Sequence, residues 1–319
     1  MSILAGSYVL AATGALAAAP LLALAQGTLL RRTEKLAPTS RARWIVGMLA
    51  FPWVVGAGLV LVTLGHCVVP ALFGAVDDCV PGVGVCVHEG APIGRATLVL
   101  ALLLSLRPAH ALWRAVSGVL ASRRAAMRLR SVGEKSGAHG SWTVPGTVTA
   151  VLGFPKSELF VGDAMHSALS ERELDALLAH ERAHQFNGDL WRKLAARVLA
   201  SAHFDATGRE LLEALDLAIE QRCDEHASDH VRDPLVVARA LVQAATVHAN
   251  ANTNNDARAQ APKSLPARIH ALCTPSWVAQ PVLALAATTV ITVATAASIL
   301  FAHRVHTVAE SMLSALARA

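Results

Sequence analysis

Residues 1–30 carry no charged side chain, and neither do residues 44–76 or 269–303. A helix of roughly 20 apolar residues crosses the hydrocarbon core of a bilayer, and each of these runs is longer than that. In lipid the backbone has to satisfy its own polar groups, so runs of this kind fold as helices. A further run, 93–116, is interrupted by Arg95 and Arg107. Charged residues make up 16% of the chain, against about 25% in a soluble domain. The deficit sits in these blocks rather than being spread.

The sequence therefore predicts a mostly α, multi-span helical membrane protein. Spans are expected at 1–30, 44–74, 93–116 and 275–302. They are joined by a loop at 31–43 and a second loop at 75–92, with a short tail at 303–319. The polar stretch 117–274 is long enough for one small α+β domain. The first run is read as a retained span. Its basic residues, Arg31 and Arg32, follow the apolar stretch, whereas a cleaved signal has them in front.

Basic loops set orientation. The first loop holds Arg31, Arg32, Lys35, Arg41 and Arg43, which predicts a cytoplasmic position. The second holds Asp77, Asp78 and Glu89 and no basic residue, which predicts the outside. Arg114, Arg123, Arg124, Arg128 and Arg130 return the polar domain to the cytoplasm, and both termini fall outside. Topology accounts for the net charge of +5, and no aromatic-interleaved basic patch points to nucleic acid. Arg107 is expected to snorkel to the inner surface, its span ending early. Cys79 and Cys86 lie in the outside loop, where a disulfide is permitted and two free thiols are the alternative. Cys223 and Cys273 belong to the cytoplasmic side and are expected to be reduced.

Within the polar domain, Thr147–Val151 and Glu158–Val161 read as two short strands, with turn chemistry between them. Ser170 and Glu173 form a capping box that opens a helix, and Asn187-Gly188 closes it. Further helices are expected from Asp189 to about Ala202 and from Gly208 to about Val231, with a polar loop over 247–264.

The first of these helices contains His180-Glu181-Arg182-Ala183-His184. Residues four apart share a helix face, so two imidazoles converge on one metal ion while Glu181 reaches water beside it. A catalytic zinc keeps three protein ligands and an open position. Glu220 is the expected third ligand. Asp224, one turn on, is placed to accept a hydrogen bond from the far nitrogen of a ligand histidine. Glu225, His226, Asp229 and His230 are the reserves. Zn²⁺ in such a site activates water, and Glu181 shuttles its proton to the leaving amine. His203, His226, His230 and Arg268 are the candidates for stabilising the oxyanion. Tyr8, the only tyrosine, lies in the first span.

The segments LSERELDALLAHERAH and EQRCDEHA, in this order, resemble the integral-membrane metallopeptidases of the BlaR/MecR antibiotic-sensor type. The match is clear over about 140–227 and rests on topology elsewhere. It implies His180, His184 and Glu220 as zinc ligands and Glu181 as base. It also implies a gluzincin-like domain whose edge strand, here Glu158–Val161, binds substrate as an added strand. The partners implied are the bilayer and a cytoplasmic protein substrate, with a sensor or transcriptional repressor as the family's pattern. SLPARIHAL (264–272) is similar to a late segment of HtpX-type quality-control proteases, which carry two spans after the motif where one is expected here. The family's extracellular penicillin-binding domain has no counterpart after the last expected span. A non-catalytic transducer braced by zinc is the competing reading, and it needs a fourth protein ligand such as His226.

Overall fold

The computed structural model describes residues 2–72, 95–135, 140–252 and 264–274. The expected fourth span, the loop with Cys79 and Cys86, and the tail lie outside them. Three long helices come first: α1 (Ser2–Thr33), α2 (Pro38–Leu72) and α3 (Arg95–Val132). At about 1.5 Å per residue, each is longer than the roughly 30 Å of hydrocarbon it would need to cross. Among the described residues, Gly14–Thr33 and Pro38–Val60 are long and apolar enough to span a membrane. Helix α3 runs unbroken through Pro108 and well past 116, where the sequence reading ended its span.

The remainder is an α+β unit. Strands β1 (Glu134–Lys135), β2 (Trp142–Val144), β3 (Thr149–Leu152) and β4 (Glu158–Gly162) form one sheet in the order β1-β2-β4-β3. Strands β2 and β4 are parallel, and the other two pairings are antiparallel. This corrects one expectation. Glu158–Val161 is not an edge strand, because β4 is hydrogen-bonded on both sides, and the edges are β1 and β3. Phe160 and Val161 are fully buried there, as the core strand of so small a sheet must be.

Helices follow: α4 (Asp163–Ala168), α5 (Glu171–Phe186), α6 (Asp189–Leu199) with a 3-10 turn at 200–202, α7 (Asp205–Val231), α8 (Pro234–Asn252) and α9 (Leu265–Cys273). The capping box is formed: the Ser170 amide and hydroxyl lie 3.0 and 2.7 Å from Glu173 Oε2. Helix α7 begins three residues before Gly208. The expected polar loop is shorter than read, since α8 carries the chain through Asn252.

Helix α7 is the centre of the unit. One face, with Leu211, Leu215, Ala218 and Ile219, packs on Leu22 of α1 and on Ile45, Met48 and Leu49 of α2. The inner turns of the two apolar helices thus serve as core for the α+β unit. Gln26 Nε2 donates to Glu210 at 2.6 Å and Arg41 to Gln221 at 3.3 Å across this interface, and α2 exchanges a further pair of hydrogen bonds, in opposite directions, with the chain leading into α7. Trp53 Nε1 donates to the Leu199 carbonyl at 2.9 Å, and His203 Nε2 faces the Leu49 carbonyl at 3.0 Å. Farther along, α1 and α2 meet backbone to backbone. A Cβ on Gly56 would stand 2.2 Å from the Ala11 carbonyl oxygen, so only glycine fits. Arg107 pairs with Asp205, the first residue of α7, at 2.5 Å on the surface. Its charge is met by the α+β unit.

Candidate metal centre

Leu177 and Leu178 of α5 are buried with Leu159 and Val161 of β4, and Ala176 and Ala179 with Ala227 of α7, and this turns the histidines inward. His180 is buried, His184 is partly open, and their Nε2 atoms are 3.2 Å apart. Helix α7 crosses beside them and delivers Glu220. One carboxylate oxygen stands 3.5 Å from His180 Nε2 and the other 3.6 Å from His184 Nε2. A tetrahedron with bonds of about 2.1 Å has edges of about 3.4 Å. Each imidazole thus faces its own Glu220 oxygen at about that spacing, and the set, two imidazoles and a carboxylate, is one that could hold a metal ion such as zinc.

Each histidine is backed by its own carboxylate. Asp224 Oδ1 lies 2.9 Å from His180 Nδ1, an ion-pair contact on the side of the ring away from Glu220. Arg268 in turn grips Asp224 through two bonds of 2.7 and 2.6 Å, and its third nitrogen is 3.2 Å from Glu220. Behind His184 stands Asp189, 2.9 Å from Nδ1, itself held by Arg192 at 2.7 Å and by Arg222. Carboxylates in this position fix ring orientation and tautomer and raise ligand basicity. The Cys223 thiol is 3.4 Å from His184 Nδ1.

The electrostatics follow from this packing. Burial works against charge on His180, but Asp224 and Glu220 outweigh it and raise its pKa. Burial likewise opposes charge on His184, yet Asp189, Cys223 and Glu220 push it up to about 12. For Glu220 and Asp224 burial favours the neutral acid. The histidines beside both, and Arg268 at Asp224, reverse this and hold them below the usual carboxylate range. Burial pushes the Cys223 thiol up, opposed by the hydrogen bond from His184.

A cleft of about 260 Å³ opens on one side of this cluster. Val151 and Gly153, at the end of edge strand β3, line it together with Glu181, His184, Trp191 and Lys193. His180, Glu181, His184, Glu220 and Asp224 are thus brought together as the sequence reading placed them. The reserves and the oxyanion candidates are not. His203 is buried against Leu49, His226 is exposed, and His230 lies 3.2 Å from Asp175. Arg268 is near but sealed behind the ligands, its guanidinium held by Asp224 and Glu220. Asp189 and Lys193 were missed. The available signal was Gly188, whose φ of 63° turns the chain sharply enough to set the first residue of α6 against His184.

Comparison with known proteins finds no matching family model, no matching curated protein and no matching solved structure.

Proposed function

We propose that the chain is a membrane-anchored zinc endopeptidase that cleaves a cytoplasmic protein. One observation carries the reading. His180, His184 and Glu220 converge at ligand spacing while Glu181, which is not needed as a ligand, lines the cleft beside them. A zinc ion held by His180, His184 and Glu220 would supply Lewis acidity, which makes water a stronger nucleophile at neutral pH and polarises a peptide carbonyl. Glu181 takes the proton from the attacking water and delivers it to the departing amide nitrogen. Asp224 and Asp189 hold the imidazoles in the orientation and tautomer that present both Nε2 atoms. The outer edge of β3 leads into the cleft, so an extended substrate segment fits as an added strand next to Val151. The apolar helices α1 and α2 supply the attachment to the bilayer. By the resemblance in the sequence, a transcriptional repressor is the substrate class to try first.

Two observations favour the reading over a zinc brace: His226, the fourth ligand the sequence offers as an example for a closed site, is exposed, and Glu181 lines an open cleft beside His184. Glu181→Gln separates the two. It keeps size and shape but cannot accept the proton. Zinc per chain should stay at the wild-type level, while cleavage of β-casein or of a co-expressed repressor falls by about 10² to 10⁴. Equal cleavage by wild type and variant, with zinc bound in both, would end the peptidase reading.

A further inference from the structure

Peptide hydrolysis places negative charge on the scissile carbonyl oxygen, and a site of this kind needs a fixed donor or cation facing it. The four residues that sequence suggests for this duty are disposed of by position. Two point elsewhere on the molecule, one is buried against α2, and Arg268 is sealed behind the ligands.

Lys193 is different. It sits on α6 four residues after Asp189, one turn along the same face. Its ammonium is 3.2 Å from Glu220 Oε1 and 3.5 Å from Asp216. Its side chain is 29% exposed and lines the cleft, and among the described residues it is the one Lys or Arg that does so. The Glu220 carboxylate is therefore held by two cations. Arg268 meets one oxygen from the sealed side, and Lys193 meets the other from the side a substrate enters.

Resting on the peptidase reading, we propose that Lys193 is the oxyanion-stabilising catalytic residue of this site. Its ammonium faces the scissile carbonyl oxygen and donates to it as charge develops there. The flexible stem lets the amine turn from Glu220 toward the substrate when the carboxylate is engaged as a ligand, and Asp216 keeps it at the cleft meanwhile.

The test uses the full chain in detergent with zinc bound. N-phosphoryl leucyl-tryptophan, whose tetrahedral anion mimics the charge distribution of the transition state, is the binding probe, and β-casein is the substrate. In Lys193→Met, zinc per chain should equal wild type, phosphoramidate affinity should fall by about 10² to 10³, and casein cleavage should fall by a similar factor in kcat with KM little changed. Lys193→Arg should restore part of both. Phosphoramidate affinity and cleavage unchanged in Lys193→Met would overturn the assignment. Loss of zinc or of folding in Lys193→Met, with Lys193→Arg holding zinc but binding the phosphoramidate no better, would also overturn it, leaving Lys193 as a structural partner of Glu220. Wild-type protein that holds zinc, binds no phosphoramidate and cleaves no casein would remove the peptidase reading itself.

Discussion

The two faces of α7 are held by opposite kinds of chemistry. Toward α5 and α9 it presents Glu220, Cys223 and Asp224, and the contacts are between ions, each buried charge paired at least once. Toward α1 and α2 it presents Leu211, Leu215, Ala218 and Ile219, and the contacts are mainly apolar, edged by hydrogen bonds from Gln26 to Glu210 and from Arg41 to Gln221. The ionic face is specific but costly to disturb, because a charge left behind in the interior is poorly solvated. The apolar face is tolerant in chemistry and demanding in volume. A single helix thus joins a cluster that could hold a metal ion to two helices long and apolar enough to cross a membrane.

Substitutions on each face sharpen the contrast. The largest effect is expected from Glu220→Ala. It removes one of three ligands and leaves Lys193 and Arg268 each with one partner fewer. Bound zinc should be lost on dialysis, a reduction in affinity of well over the roughly 10 to 100-fold that a supporting carboxylate is worth. Zinc at full occupancy in this variant would remove Glu220 from the ligand set. Next is Asp224→Ala, which strands the buried Arg268 guanidinium. Thermal or denaturant unfolding should show a loss of about 3–5 kcal/mol, with zinc affinity down by about 10 to 100-fold. A neutral effect on unfolding would mean that Arg268 finds Glu220 sufficient.

On the apolar face, Leu215→Ala removes a side chain that is 1% exposed. The expected cost is about 2–5 kcal/mol, with zinc affinity essentially unchanged, since no charge has moved. A large drop in zinc affinity would show that the two faces are not separable. The smallest effect is one of pH. Burial lowers the His203 pKa below its ordinary 6.5, although the Leu49 carbonyl favours its proton. The folded protein therefore binds this proton less readily than the unfolded chain. The contribution is present in full above 6.5 and is lost as pH falls below it. Asp224 is also held low, but its contribution is lost only below the unfolded value of 3.8, as pH falls through its folded pKa. In metal-free protein, mild acid between these limits should loosen the α2 face and spare Asp224. Hydrogen exchange around Leu49 reads this out, and His203→Gln should flatten the response. Equal loosening of both faces would contradict the assignment of the acid response to His203.

What could be read in the sequence follows the same division. His180, His184, Glu220 and Asp224 were legible because both pairs are separated by one helical turn, a spacing that survives without knowing the fold. The capping box at Ser170 and the stop at Asn187-Gly188 are equally local signals. Asp189 was not legible, because it reaches His184 across a chain reversal rather than along a helix. Arg268 is visible in sequence as a charge, but which side of Glu220 it occupies depends on how α9 packs against α7. Strands β1 and β2 are too short to show alternation, and the central place of β4 is a matter of pairing partners. Helix α8 did carry a start signal, with Pro234 at its first position and the Asp233 carboxylate accepting the Leu235 amide at 3.0 Å.

The reciprocal pair of hydrogen bonds between α2 and the segment after α6 has a mechanical meaning. Leu49 and Trp53 are one turn apart on α2, and each side of the joint gives one donor and takes one. Sliding α2 by a single residue would shift it about 1.5 Å and rotate it about 100°, unfastening both bonds at once. Such a clasp has no intermediate notch. A displacement of α2 along its axis is therefore resisted at the α6–α7 corner by both bonds together, as a latch with two teeth resists sliding.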